Sequence, residues 1–295
     1  MAKIAFIRRA FGEARMALLA VCNTIITDYL AQGYRLTLRQ LYYQLVSRNV
    51  VENTERSYKN VGNAVSDGRL AGLVDWSAIE DRVRVPRKAS EFADLQELAE
   101  AALASYRLPR WDGQHSYVEL WVEKDALAGV LEPLAREWHA VLMVNRGYSS
   151  QSAMYEAAIR FRRAAKAHSN LVLLYLGDHD PSGEDMVRDV RDRLAMFGAD
   201  VDVRKIALTM DQVEEYNPPP NPAKMTDSRA AAYVEQHGAS SWEVDALPPE
   251  VLSQLITEAF EGLVDVPMMD TIKEREEEDK EKLREAVEEI LRGGA

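Results

Sequence analysis

The sequence predicts an α/β fold, in which helices flank a mostly parallel sheet and a smaller helical module comes first. Two runs, Tyr117–Val122 and Asn170–Leu176, are almost continuously apolar, which is typical of strands covered by helices on both faces. Segments with helical periodicity separate these runs. The chain has 295 residues, 47% of them hydrophobic, which is enough for one large domain or two medium ones.

The first module begins with an amphipathic helix, predicted over residues 13–31. A second helix starts after Thr37 and runs to about Ser47, because Thr37 and Gln40 have the spacing of a capping box. The first helix ends before Gly33, since glycine is favoured at helix ends.

Two adjacent tyrosines on this second helix are predicted to differ in environment. The apolar stripe of Leu38, Leu41 and Leu45 includes Tyr42, which we therefore place in the core. Tyr43 is displaced by ~100°, toward Arg39, its neighbour one turn earlier. An ordinary surface tyrosine is the alternative interpretation of Tyr43.

A third helix is predicted from Thr54 to about Ala71, followed by an extended stretch over residues 73–85. Two helices and a basic ribbon are the outline of a winged helix-turn-helix. Several basic and amide side chains lie outside the apolar side of the third helix or on the ribbon. Such side chains are suited to contacts with DNA phosphates and base edges. These candidates are Arg56, Lys59, Asn60, Asn63, Arg82 and Arg84.

The charge distribution is uneven. The chain carries a net charge of −12, yet residues 1–90 hold 14 lysines and arginines against 8 acidic residues, and the remainder holds 22 against 40. A basic module on an acidic body is expected where one face meets phosphates, although an ordinary basic helical domain would look the same.

Cysteine content and hydropathy indicate a cytoplasmic protein without a membrane partner, and the candidate DNA contacts above add the expectation that it is nucleoid-associated. Cys22 is the single cysteine, so no disulfide framework can form within one chain. The apolar stretch 16–26 is interrupted by polar residues and too short to span a bilayer.

The remaining elements alternate between helix and strand. We expect a first domain over 1–90, a linker over 91–116, a sheet domain over 117–262 and a charged helical tail over 263–295. Helices are predicted over 89–106, 125–138, 151–167, 183–197, 228–236, 249–262 and 270–292, strands over 140–145 and 200–208, and a proline-rich loop over 216–222.

Carboxylates stand where the two apolar strands end. Glu123 follows the first strand, and Asp178 and Asp180 follow the second. Carboxyl ends of parallel strands are where ligands bind, and three converging carboxylates repel unless protons or a hard cation lie among them. This predicts a Mg²⁺ site, with helix capping as the alternative. Lys124 is either a counter-charge or solvated, and the strand pleat turns His179 away.

These motifs carry a resemblance. Glu123-Lys124, Gly147 and the run Gly177-Asp-His-Asp-Pro-Ser-Gly183, interleaved with helices, resemble the Toprim domain, most closely that of the topoisomerase VI A-subunit family and its meiotic double-strand-break relative. Thr37-Leu-Arg-Gln-Leu-Tyr-Tyr43 resembles the winged-helix catalytic segment of the same family.

The resemblance implies a reaction and partners. Tyr43 would be the nucleophile that forms a 5′-phosphotyrosyl link to double-stranded DNA, helped by Arg39, by Glu123 as acid or base, and by Mg²⁺, for which Mn²⁺ could substitute. A homodimer would cut both strands, with the tyrosine of each protomer working at the metal site of the other. The resemblance also makes a separate ATPase subunit of the B type a candidate partner. No Walker A motif occurs in this sequence, so nothing in it indicates a site for ATP hydrolysis.

Two other functions fit the same residues. A metal-dependent nuclease of the Toprim type would use water, and Tyr43 would then be structural. A non-catalytic DNA-binding module in a larger complex would keep the basic face but need no metal. A covalent protein–DNA adduct would distinguish the tyrosine-dependent strand breakage described above from both of these alternatives.

Overall fold

The computed structural model describes residues 3–79, 89–145, 147–222 and 229–293. The helices are α1 Glu13–Ala31, α2 Leu38–Ser47, α3 Glu55–Leu70, α4 Leu95–Ser105, α5 Ala128–Glu137, α6 Gln151–Ala164, α7 Pro181–Met196, α8 Met210–Tyr216, α9 Ala230–His237, α10 Pro249–Glu261 and α11 Val266–Gly293. The strands are β1 Ser116–Val122, β2 Val141–Val144, β3 Asn170–Leu176, β4 Asp202–Ala207, β5 Asn221–Pro222 and β6 Ser240–Ser241.

A four-stranded parallel sheet lies at the centre of the larger part, in the order β2-β1-β3-β4. Its two central strands are the two apolar runs that the sequence predicts. Side chains alternate between two buried layers: Leu120 and Leu174 pack toward α5 and α10, whereas Trp121 and Tyr175 pack toward α6 and α7. Helices on both faces explain why these strands need almost no polar residues.

The first module has its own core between α1, α2 and α3, in which Cys22, Leu41 and Val61 are fully buried. The Thr37 hydroxyl accepts from the Gln40 backbone N–H and the Gln40 side chain accepts from the Thr37 N–H, so the predicted capping box is confirmed. By length and composition α1 could cross a membrane, but its residues Leu19 and Ile25 lie in this core.

The stretch predicted as an extended ribbon differs from that prediction. Residues 73–79 form turns with a single bridge between Leu36 and Ile79. The reason is local, because the Asp75 carboxylate accepts from the backbone N–H and hydroxyl of Ser77, at 2.8 and 2.7 Å, and so closes a turn. Arg82 and Arg84 lie outside the described residues.

The proline-rich stretch 216–222 is a loop except at its end, where β5 pairs with β6 in an antiparallel ribbon. We had expected no ladder there, but each strand of a two-stranded ribbon is an edge strand, and an edge strand tolerates Pro222. Residues 210–216 form the helix α8, which was not predicted from the sequence.

The linker helix α4 packs along the charged helix α11. Glu276 of α11, 1% exposed, pairs with Arg110 at 2.9 Å and accepts from the backbone N–H of Leu108. Tyr106 donates to Asp279 at 3.1 Å. The predicted charged tail is therefore fixed along one side.

The first module contacts the rest of the chain directly. The hydroxyls of Tyr34 and Ser253 lie 2.8 Å apart, and the Asn53 amide donates to the Asn221 side chain at 2.7 Å. These contacts hold the first module, which includes α2, against the larger part of the chain.

Candidate functional site

The carboxyl ends of β1 and β3 lie side by side, since Val122 pairs with Leu176. Glu123 and Asp178 follow within two residues, and the Asp178 backbone N–H donates to Glu123 Oε2 at 3.1 Å. Gly183 on α7 is required here, because a Cβ at this position would stand 2.3 Å from the Asp178 carbonyl oxygen. The first turn of α7 thus packs tightly against the end of β3.

A second segment completes the site. The backbones of His179 and Trp242 exchange two hydrogen bonds of 2.8 and 2.9 Å, which places the residues after Trp242 above the end of β3. Asp178, Glu243 and Asp245 each offer an oxygen within 4.8 Å of the others, a group that could hold a metal ion. We call these three residues the acidic cluster.

Lys124 extends into the acidic cluster. Its Nζ lies 2.8 Å from Asp178 Oδ1 and 3.1 Å from Asp245 Oδ1, and it also pairs with Glu243. Burial alone would lower the pKa of Lys124, but the three carboxylates together raise it above its usual range. Of the two predicted roles, Lys124 is therefore the counter-charge.

Arg39 joins the acidic cluster to the tyrosine of α2. Its Nε lies 3.0 Å from Asp245 Oδ2 and its guanidinium also pairs with Glu243 at 2.5 Å. The same guanidinium donates to the Tyr43 hydroxyl at 3.4 Å and stands over the Tyr43 ring, 5.6 Å from its centre. The predicted Arg39–Tyr43 neighbourhood is confirmed.

Tyr43 itself is buried, with 5% exposure, so the expectation that it lies away from the core is wrong. The rings of Tyr42 and Tyr43 are 5.5 Å apart, and Asn53 holds Asn221 over α2. Tyr43 lines a cavity of about 220 Å³ with Asn53, Tyr58 and Asn221.

Burial raises the pKa of Tyr43, the charge of Glu243 adds to the effect, and Arg39 opposes it. The hydroxyl is therefore protonated at neutral pH. Tyr42 is in the core as predicted, and its hydroxyl donates to the carbonyl oxygen of Thr54 at 3.1 Å.

The carboxylates differ in their electrostatics. Burial raises the pKa of Asp178 to about 7 against the attraction of Lys124. Burial also raises the pKa of Glu123. For Glu243, burial is outweighed by Lys124 and Arg39 together, which lower its pKa. Glu123 and Asp178 are thus suited to carry a proton, and Glu243 to stay charged.

The metal ligands predicted from sequence were Glu123, Asp178 and Asp180. Asp180 is the N-cap of α7, where its Oδ1 accepts from the Gly183 backbone N–H at 2.7 Å, which is the alternative role given above. Its role as a ligand stays a prediction. His179 turns to the other side, where its Nδ1 lies 2.7 Å from the Tyr233 hydroxyl.

Glu243 and Asp245 were missed by the sequence analysis. They are 65 or more residues after Asp178 and follow a strand of two residues, too short to predict. The only local signal is the Glu-Val-Asp spacing, which repeats the acidic-x-acidic pattern of Asp178 and Asp180.

The DNA candidates on α3 share one exposed face. Arg56, Lys59, Asn60 and Asn63 are all exposed, and Lys59 pairs with Glu55 at 2.6 Å. Their spacing of three and four residues places them in a strip along the helix.

Comparison with known proteins adds no assignment. No protein-family model matches the chain, and no curated protein matches it in sequence. The function must therefore be argued from the site.

Proposed function

We propose that this chain is a DNA strand-breaking enzyme that transfers a phosphoryl group of DNA to Tyr43 with the help of a divalent metal ion. The observation that carries this is the position of Arg39, which contacts both the Tyr43 hydroxyl and two carboxylates of the acidic cluster. A DNA phosphate bound between Tyr43 and the metal ion would lie beside the Arg39 guanidinium. The positive charge of Arg39 would then stabilise the negative charge that develops on the phosphate during the reaction.

The architecture supports the family resemblance. Carboxylates follow two neighbouring parallel strands, as in a Toprim domain, and the helix pair α2 and α3 carries the arginine and tyrosine of the resembling segment. We propose a Toprim assignment for the sheet domain and a winged-helix-type role for the first module on these grounds.

The acidic cluster fits a hard cation such as Mg²⁺, which prefers carboxylate oxygens. Asp245 is 1% exposed, and its Oδ2, although 3.0 Å from Arg39, accepts no hydrogen bond from the described residues. A buried carboxylate oxygen without a hydrogen bond is costly, so it suits coordination. Asp178, Glu243 and Asp245 would hold the ion, with Glu123 beside them.

The chemistry then assigns roles to these side chains. The Tyr43 oxygen attacks phosphorus, the bond between phosphorus and the 3′ oxygen breaks, and the product is a 5′-phosphotyrosyl link. The Tyr43 proton must leave and the 3′ oxygen must gain one, and Glu123, whose pKa is raised by burial, can hold a proton near the site between these two transfers. Arg39 stabilises the phenolate and the phosphate charge, and a bound metal ion supplies stabilisation of the leaving oxygen.

A second candidate is a metal-dependent nuclease in which water attacks. The burial of Tyr43 and its raised pKa favour this alternative, because a buried, protonated phenol is a poor nucleophile. Tyr43 would then position Arg39 through their hydrogen bond.

For a double-strand break we propose a homodimer, since each chain offers one Tyr43. The resemblance implies that the tyrosine serves the partner's metal site, whereas Arg39 links Tyr43 to the acidic cluster of its own chain. An ATPase partner remains part of the family-based proposal.

The test is incubation of supercoiled plasmid with the protein and Mg²⁺ or Mn²⁺, followed by electrophoresis with and without protease. A tyrosine enzyme gives linear or nicked DNA that is retarded until protease removes the attached chain. Cleavage with free 5′ ends supports the nuclease, and binding without metal-dependent cleavage leaves only a DNA-binding module.

A further inference from the structure

The segment 3–10 is fixed along the C-terminal end of α3. The backbone N–H groups of Phe6 and Ile7 both donate to the Leu70 carbonyl oxygen, at 2.8 and 3.1 Å, and Ala5 forms a bridge with Ala71. The Trp76 indole N–H donates to the Ile4 carbonyl oxygen at 3.1 Å.

A glycine makes this close approach possible. Gly72 has a φ of +72°, and a Cβ there would stand 2.9 Å from the backbone nitrogen of Ala5. The Phe6 ring meets the Trp76 ring edge to face at 5.5 Å. The segment is therefore seated on α3 by specific contacts.

Despite these contacts, the segment presents apolar side chains to solvent. Ile4, Phe6 and Ile7 are 51, 66 and 42% exposed. Clustered exposed apolar side chains on a fixed backbone are a feature of interaction sites. Lys3 and Arg8, both exposed, flank them.

Positive charges outnumber negative ones around the segment, although the Asp75 carboxylate interacts electrostatically with Lys3. Arg9 and Arg15 both pair with Asp67, at 2.5 and 3.2 Å, and so neutralise the acidic residue on this part of α3. Because the body of the protein is acidic, a basic and apolar strip is suited to a polyanion with apolar faces, which is the chemistry of nucleic acid.

The segment also continues the exposed face of α3. Asp67 and Leu70 follow Asn63 at helical spacing, so the strip of Arg56, Lys59, Asn60 and Asn63 leads directly to the residues that hold Phe6 and Ile7. A helix of 16 residues is about 24 Å long, and the segment lengthens this surface at one end.

We propose that the segment 3–10 and the exposed face of α3 form one continuous surface for double-stranded DNA. Lys3 and Arg8 contact phosphates, and Phe6 enters a groove as an apolar wedge against the bases. This inference rests on the DNA-directed function proposed above, and it adds a contact outside the resembling motifs.

The experiment measures the affinity of the full-length chain for a fluorescent duplex by anisotropy, across a series of salt concentrations. We expect Lys3→Glu with Arg8→Glu to weaken binding about tenfold or more and to reduce the salt slope by about 2, one for each lost phosphate contact. Phe6→Ala should weaken binding about tenfold with the salt slope unchanged.

Matched controls come from another surface. Lys282→Glu with Arg284→Glu changes the same charge on α11, and Phe92→Ala removes another exposed phenylalanine, 42% exposed. Neither should change affinity by more than about twofold. Thermal melting followed by circular dichroism verifies that each variant is folded.

Wild-type affinity in both segment variants overturns the inference. If the double variant Arg56→Glu with Lys59→Glu nevertheless weakens DNA binding in the same assay, the proposed function stands and only the role of the segment 3–10 is lost. If that double variant also binds DNA normally, the DNA-directed function fails too. A Phe6→Ala variant with normal DNA affinity and altered molecular mass would show a protein contact instead, which also overturns the inference.

Discussion

The Lys124 ammonium lies 2.8 Å from the Asp178 carboxylate, at the point where a metal ion would be bound. The same nitrogen contacts Glu243 and Asp245. A divalent cation and this ammonium therefore compete for the same oxygens. A metal ion bound at this position would require Lys124 to move, so the Lys124 side chain would help to determine metal affinity.

Replacing Lys124 with methionine should make metal binding tighter. The variant keeps an unbranched side chain, one atom shorter than that of lysine, but removes one positive charge at about 3 Å, and we expect at least a tenfold gain in Mg²⁺ affinity by calorimetry. Without metal, the variant should lose about 3–5 kcal/mol of stability, because three carboxylates lose a buried partner. Lys273→Met on α11 is the control, and equal Mg²⁺ affinity in the two variants would refute the competition.

Asparagine substitutions distinguish the metal-ligand set predicted from sequence, which includes Asp180, from the acidic cluster, which includes Asp245. Asp178→Asn and Asp245→Asn should each lower Mg²⁺ affinity by about tenfold or more, since each removes one anionic oxygen donor. Asp180→Asn keeps a good N-cap for α7 and should bind Mg²⁺ nearly as well as the wild type. The measurement is calorimetric titration with Mg²⁺. A loss in Asp180→Asn equal to that in Asp245→Asn would restore the ligand set predicted from sequence.

Tyr43→Phe decides between tyrosine and water as the attacking group. If Tyr43 is the nucleophile, the variant binds DNA and metal but forms no covalent adduct and leaves plasmid intact. Tyr42→Phe is the matched control: it should retain cleavage and lose about 1 kcal/mol of stability with its buried hydrogen bonds. Retained cleavage by Tyr43→Phe would establish the nuclease instead.

Acid should destabilise the protein through His179. Burial, aided by the charge of Lys205, lowers its pKa, so the folded chain keeps His179 neutral while the unfolded chain takes up a proton below about pH 6.5. The contribution of neutral His179 to the free energy of unfolding is complete above that pH. It is lost as the pH falls toward the pKa of His179 in the folded chain. The groups that face this ring are Lys205, Glu184, His237, Tyr233 and Trp242.

Urea denaturation at pH 7.5 and pH 5 measures this effect. His179→Gln should reduce the pH dependence by up to ~1.4 kcal/mol per pH unit. His115→Gln, at an exposed position, should leave it unchanged. The same pH dependence in His179→Gln and the wild type would exclude His179 as its source.

The sequence predicted those features that depend on neighbouring residues. The capping box of Thr37 and Gln40 and the two apolar central strands are read from short windows, and the structure confirms them. The carboxyl ends of the two strands lie at one edge of the sheet, as expected for parallel strands, and the structure adds the register in which Val122 pairs with Leu176.

Features that depend on contacts between segments far apart in the chain could not be predicted from short windows of sequence. The burial of Tyr43 depends on Asn221, which is 178 residues further along the chain and lies over α2, and a helical wheel contains no information about it. Glu243 and Asp245 reach Asp178 through a backbone bridge between His179 and Trp242. Asp180 illustrates a different difficulty, because an aspartate before a proline and a glycine fits a helix N-cap as well as a metal ligand.

The position of Arg39 between Tyr43 and the acidic cluster has a thermodynamic consequence. Under the proposed function, a DNA phosphate that approached Tyr43 would draw Arg39 away from Glu243 and Asp245, which would leave those carboxylates more negative and raise their affinity for a cation. By linkage, the cation must raise the affinity for the phosphate by the same factor. DNA and metal should therefore bind with positive cooperativity, even before any bond is broken.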